Sequence, residues 1–125
     1  MTQIKTGNQA EEYVAQHFMS IGAWATIIPK KVDGSQPLDL IAQTKYKTYY
    51  LDVKHTAREL FPFSRIEENQ KLSMKKLHEL RCKHTIIGFA FVYKGNIYLM
   101  TYDKYLDYLN QGFKSVRITN FERLN

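Results

Sequence analysis

A chain of 125 residues, 44% hydrophobic and 14% aromatic, can build one modest core and is too apolar to be disordered. One cysteine, Cys82, excludes an internal disulfide, and the longest apolar run, IIGFAFVY, is far too short to cross a bilayer. A net charge of +6 points to a polyanionic partner, nucleic acid first. The opening MTQIKTGNQAEEY has no apolar signal-peptide core, so a cytoplasmic protein without membrane association is expected.

In chain order, residues 8–20 read as a helix in which Ala10, Tyr13, Val14, Phe18 and Ile21 share one stripe. Glu11 lies at the edge of that stripe beside Val14 and Phe18, whereas Glu12 points away; Gly22 ends the helix. WATII is an edge strand, PKKVDGSQP a loop, and LDLIAQ and TYYLDVKHT two strands joined across TKYK. ARELFPFS is a connection that Pro62 stops. A second helix spans residues 66–81, with Ile66, Met74, Leu77 and Leu80 on its inner stripe. TIIGFAFVY and IYLMTY form a hairpin around Lys94, Gly95 and Asn96. Asp103 caps a short last helix, KYLDYLNQ, which Gly112 closes. The order αβββαββα describes an α/β chain with a mixed central sheet flanked by helices.

Two acids stand out in the central strands. Side chains alternate along YYLDVK, so Leu51 and Val53 share one face while Tyr50, Asp52 and Lys54 share the other. If Thr44 pairs with Lys47 across the turn, the ladder brings Asp39 opposite Asp52. Opposed residues have Cβ atoms about 4.5–5.5 Å apart, and like charges there are destabilising unless a cation sits between them. With Glu11 as a third carboxylate, the donors form a hard-oxygen set that suits Mg²⁺ or Mn²⁺; zinc would want histidine or cysteine, and the histidines are scattered. Lys54 adds a positive charge that can hold a phosphate or an attacking water. The competing reading is an exposed polar strand face, and for Glu11 an acid placed favourably in the first helical turn.

The pattern PLDL followed by LDVK resembles the PD-(D/E)xK nuclease motif, carried here by Pro37, Leu38, Asp39, Asp52, Val53 and Lys54. GNQAEEYVAQHFMSIGAW resembles the first helix of Hjc-type and RecU-type Holliday-junction resolvases, where a glycine precedes a glutamate by four positions, as Gly7 precedes Glu11. LDVKHTARELFPFSRIEENQ resembles the RecU segment that runs from the catalytic strand to a glutamine, here Gln70, on the next helix. The resemblance covers about residues 5–100 and implies a restriction-endonuclease-like fold over residues 1–125 as a single domain. It also implies a catalytic set of Glu11, Asp39, Asp52, Lys54 and Gln70, with Mg²⁺ (or Mn²⁺) held by Glu11, Asp39, Asp52 and the Val53 carbonyl. RecU enzymes have a projecting stalk before the first aspartate; TIIPKKVDGSQP is too short for one, and Asp52 stands where relatives often carry glutamate.

The implied activity is that of a metal-dependent, structure-selective endonuclease resolving four-way junctions by paired symmetric nicks, which leave 5′-phosphate and 3′-hydroxyl ends. Two symmetric nicks on branched DNA imply a homodimer. Ser35 sits where Hjc-type enzymes carry an active-site hydroxyl, although GSQP is also ordinary turn chemistry. Lys30, Lys31, Arg58, Arg65, Lys71 and Lys75 are the cations expected to line a DNA groove. Phe61 and Phe63 either pack on the core or wedge at a branch point, and Gln70 is either a structural hydrogen-bonding residue or one that positions the site. Two other functions compete: a repair or restriction nuclease with the same chemistry, and a non-catalytic DNA-binding accessory protein that keeps the fold.

Overall fold

The structure is a computed structural model that describes residues 4–33 and 36–125. Its first helix, α1 (Gly7–Ser20), starts where Thr6 accepts a hydrogen bond from the Gln9 N–H at 3.1 Å while Gln9 Oε1 accepts from the Thr6 N–H at 3.2 Å. This reciprocal cap satisfies amide groups that the first turn leaves unpaired. Ala10, Val14, Ala15 and Phe18 face the sheet. Ile21, expected on the same stripe, is 61% exposed, because the helix has ended and the chain turns away at that residue.

The central sheet contains β1 (Trp24–Ile27), β2 (Leu40–Gln43), β3 (Thr48–His55), β5 (Thr85–Tyr93), β6 (Asn96–Thr101) and β8 (Glu122–Arg123), in the spatial order β1-β2-β3-β5-β6-β8. Only β3 and β5 run parallel; every other neighbouring pair is antiparallel. The apolar run in β5 follows from this central position, since both faces of that strand are covered. One layer packs α1 against Leu40, Leu51, Val53, Val92 and Leu99. The other packs Phe89, Phe91 and Met100 against α2 (Glu68–Leu80) and α3 (Tyr102–Asn110) through Met74, Tyr102 and Tyr105.

Several boundaries differ from the sequence reading. Helix α2 begins at Glu68, after a 3₁₀ turn over Phe63–Arg65; Ile66 is buried all the same. Leu80 is 65% exposed because it is the last residue of α2, beyond the reach of the core. The cap of α3 is Thr101, whose hydroxyl accepts from the Lys104 N–H at 3.3 Å; Asp103 lies inside the first turn. The connection ARELFPFS contains a short strand, β4 (Leu60–Pro62), paired with β7 (Ser115–Arg117), and it buries Phe61 and Phe63 in the core. That burial removes both rings from any role as a branch-point wedge.

Strand β5 and strand β6 meet through a two-residue turn in which Lys94 and Gly95 have φ of 50° and 77°, the left-handed pair that matches strand twist. Gly88 answers a different need. A Cβ at that position would lie 2.4 Å from the Met100 carbonyl oxygen, a backbone atom that cannot yield cheaply. Gly88→Ala is therefore expected to lower the urea midpoint, with a loss at the upper end of the roughly 1–3 kcal/mol typical of overpacking. An unchanged midpoint would show that the β5–β6 contact is looser than this geometry requires.

Candidate active site

The turn TKYK sets the site's register. The Thr44 N–H donates to the Lys47 carbonyl at 2.9 Å, and the ladder runs from Gln43–Thr48 to Leu40–Leu51. This is the pairing expected from the sequence. It stops one step before the two acids: the Asp39 N–H donates to the Leu51 carbonyl at 3.1 Å, and the Asp39 carbonyl accepts from the Ile28 N–H at 2.9 Å. Freed from the ladder, the Asp39 side chain turns to β3, where its Oδ2 accepts the Val53 N–H at 2.8 Å. The Asp39 and Asp52 carboxyl groups come within hydrogen-bonding reach of each other. The acids lie together rather than on opposite sides of the sheet.

Burial makes this pair unusual. Asp52 is fully buried and Asp39 is 4% exposed. Gln70 reaches from α2 and donates from Nε2 to Asp52 Oδ1 at 2.9 Å. Its amide oxygen accepts from Lys54 Nζ at 3.0 Å and from the Glu67 N–H at 3.1 Å. These two donors fix the amide's orientation, because only its oxygen can face them. Lys54 also stands 3.3 Å from Asp52 Oδ2, an ion pair without hydrogen-bond alignment, so Oδ2 is a buried oxygen that accepts no hydrogen bond.

The electrostatics divide the pair. Desolvation, reinforced by the neighbouring Asp39, pushes the Asp52 carboxyl well above the ordinary range, against the pull of Lys54. Burial acts on Asp39 in the same direction, but hydrogen bonds from Asp52 and the Val53 N–H, with the Lys30 charge, outweigh it and leave Asp39 below its usual value. Glu11, buried on α1, is raised chiefly by desolvation despite its bond with Lys30.

Lys30 had been expected at a DNA surface. Its ammonium instead lies 2.6 Å from Glu11 Oε2 and 3.4 Å from Asp39 Oδ1. Burial works to lower its pKa, but these carboxylates outweigh that effect and hold it raised. The pairing of Ile28 with Asp39 is what delivers the residue: two positions beyond Ile28, the chain is still beside the acids. A strand-pairing argument extended from β2 to β1 would have found it.

Other expected DNA contacts are dispersed in role. Lys31, Arg58 and Lys75 are exposed. Arg65 donates to the His55 carbonyl at 3.1 Å and lies over the Phe61 ring, which ties it to the fold. Lys71 pairs with Glu68 at 3.8 Å. Ser35 lies outside the described residues. A cavity of about 910 Å³ is lined by residues including Tyr13, His55 and Lys94, and Glu11, Asp39 and Asp52 are not part of its lining.

The donor chemistry suits a hard divalent cation: the acidic side chains offer oxygen alone, and Asp52 Oδ2 is a buried carboxyl oxygen without a hydrogen-bond partner. As the side chains stand, no group of three or more His, Cys, Asp or Glu residues among the described residues is arranged to hold a metal ion. The Lys30 ammonium lies between Glu11 and Asp39. The fit is to the chemistry of the oxygens, with that ammonium in the way.

No family model matches the chain, and no curated protein sequence does. Among the described residues no helix is long and apolar enough to cross a membrane. The fold is similar to that of a solved structure, Archaeoglobus fulgidus Hjc, a Holliday junction resolvase from an archaeal hyperthermophile. The match has a TM-score of 0.60 at 10% sequence identity and covers 76% of each chain. At that identity the likeness concerns architecture, and the chain shares the mixed α/β fold of that resolvase.

Proposed function

We propose that this chain is a Mg²⁺- or Mn²⁺-dependent DNA endonuclease that resolves four-way junctions in the cytoplasm as a homodimer. The observation that carries this reading is a fully buried aspartate, Asp52, placed beside Asp39 and joined to Lys54 through Gln70. Such an arrangement costs stability and is retained where chemistry needs it. The fold of a Holliday junction resolvase narrows the substrate class.

Asp39, Asp52 and the Val53 carbonyl would hold the metal, with Glu11 completing the set. A divalent ion there supplies Lewis acidity to a phosphodiester oxygen and lowers the pKa of bound water. The chain's own groups do the rest. Lys54, anchored by Gln70 Oε1, presents its ammonium to the scissile phosphate and the incoming water. Gln70 keeps Asp52 and Lys54 at fixed separation by touching both. Water adds to phosphorus, the bond to the 3′ oxygen breaks, and that oxygen leaves to take a proton. The products are a 5′-phosphate and a 3′-hydroxyl, which ligase chemistry can rejoin. Two copies related by a twofold axis give the paired nicks.

Asp52→Asn separates chemistry from folding. Junction cleavage with Mg²⁺ is expected to fall by more than about 100-fold, since even outer partners of a metal ligand cost roughly 10–100-fold. Metal-free stability near neutral pH should move the other way, by on the order of 1–3 kcal/mol, because the variant holds no buried charge against Asp39. The sign follows from linkage. Asp52 is raised on folding, so the native chain keeps a proton that the unfolded chain releases, and stability falls as pH climbs from the ordinary carboxylate range towards the raised value. The variant lacks that loss, so its advantage in thermal melts should grow from acid to neutral pH. Equal cleavage of linear duplex and junction by the native chain would favour a repair or restriction nuclease, and full junction binding without any cleavage would favour an accessory protein.

Binding is expected to depend steeply on salt. Three phosphates neutralised by Lys31, Arg58 and Lys75 correspond to a slope of about −2.7 in log affinity against log salt on duplex arms. A nearly flat slope in a junction-binding titration would remove these residues from the DNA surface.

A further inference from the structure

We propose that Lys30 is an intramolecular cation that closes the carboxylate site in the metal-free chain and must swing out before a divalent ion can enter. The proposal rests on the nuclease reading above and adds a residue that gates it. The ammonium bridges Glu11 on α1 and Asp39 before β2, groups from two separate elements. Its contacts, at 2.6 and 3.4 Å, are those of an ammonium; Mg²⁺ needs oxygens at about 2.0–2.1 Å. The two cations cannot share these oxygens, because they would want them at different spacings and would repel each other at contact distance.

Lys30 is built to leave. Its side chain is 44% exposed, while the carboxylates it touches are 5% and 6% exposed. A four-carbon stem can therefore carry the charge to solvent without moving the acids. Beside it lies a pocket of about 230 Å³ lined by Asn8, Glu11, Glu12, Ile27, Ile28, Pro29 and Lys30 itself, open space into which the stem can rotate. Asp52 Oδ2, meanwhile, accepts no hydrogen bond even with Lys30 seated. The Lys30 ammonium serves Glu11 and Asp39, and the cation beside that oxygen is Lys54, 3.3 Å away and without hydrogen-bond alignment. Lys54, held by Gln70 on the α2 side, stays in place throughout.

Manganese titration of the full chain without DNA tests this directly, by calorimetry and by the metal-induced shift of the thermal midpoint. Lys30→Met is expected to bind Mn²⁺ about tenfold more tightly than the native chain, within the usual range for coupled sites. Its midpoint without metal should be lower and its gain on adding metal larger. Lys31→Met removes the same charge from the adjacent exposed position and should leave Mn²⁺ affinity within about twofold of native, a difference small on the same scale. Unchanged or weaker Mn²⁺ binding by Lys30→Met would overturn the gate, as would equal tightening by both variants, which would mark a general field effect. If the native chain and both variants bind no Mn²⁺ at all, the metal-dependent reading itself fails, an outcome distinct from failure of the gate.

Discussion

The buried Asp52 carboxylate sets the terms for its surroundings. An anion with no solvent contact costs several kcal/mol unless charge or hydrogen bonds replace its water, and here the replacement is incomplete. One oxygen receives the Gln70 amide; the other faces an ammonium at 3.3 Å without an aligned donor. Gln70 and Lys54 are placed to meet that charge, whereas Asp39 opposes it and adds to its cost. A leucine in place of Asp52 would leave the Gln70 amide without its acceptor.

The fold keeps this arrangement in register. Strand β3 sits between β2 and β5, and Leu51 and Val53 are locked into the layer beneath α1. A slip of one residue would send Asp52 and Lys54 into that apolar layer, so the burial of their neighbours holds both charged groups on the other face. Helix α2 then contributes through its first turn. The Gln70 oxygen that accepts from Lys54 also accepts the Glu67 N–H, so one amide serves both the start of the helix and the site. Loosening that turn would release the clamp on Asp52 and Lys54 together.

What the sequence disclosed was local or periodic. Alternation along YYLDVK separates the faces, and the short turn TKYK fixes the pairing of β2 with β3, so Asp39, Asp52 and Lys54 could be gathered before any coordinates. Helix α1 placed Glu11 by the same periodic logic. The strands β4, β7 and β8 were not legible, because each has only two or three residues and exists through a distant partner rather than through its own pattern. The departure of Asp39 from the ladder was hidden for a related reason: its side chain takes the Val53 N–H, a choice that hydrophobic pattern does not encode. Lys30 resembles a surface cation in the sequence because a lysine in a loop has no periodicity to place it. Its position depends on β1 pairing with β2, one strand beyond the pair that carries the acids.

The charges at the site explain how it can stay folded without a metal. Three carboxylates, Glu11, Asp39 and Asp52, meet two ammonium groups, Lys30 and Lys54. The remaining negative charge is the one that burial disfavours most, and it falls on Asp52, the group pushed furthest towards its neutral form. Two lysines thus offset two of the three carboxylates, and the acids need not separate. The two lysines are not equivalent in this balance. Lys54 is 12% exposed and tied to Gln70, whereas Lys30 is 44% exposed and reaches the acids from a loop. A charge arriving from outside would therefore expel Lys30 first, because its hydrated state is nearest. The positive charge is therefore fixed on the Lys54 side and displaceable on the Lys30 side.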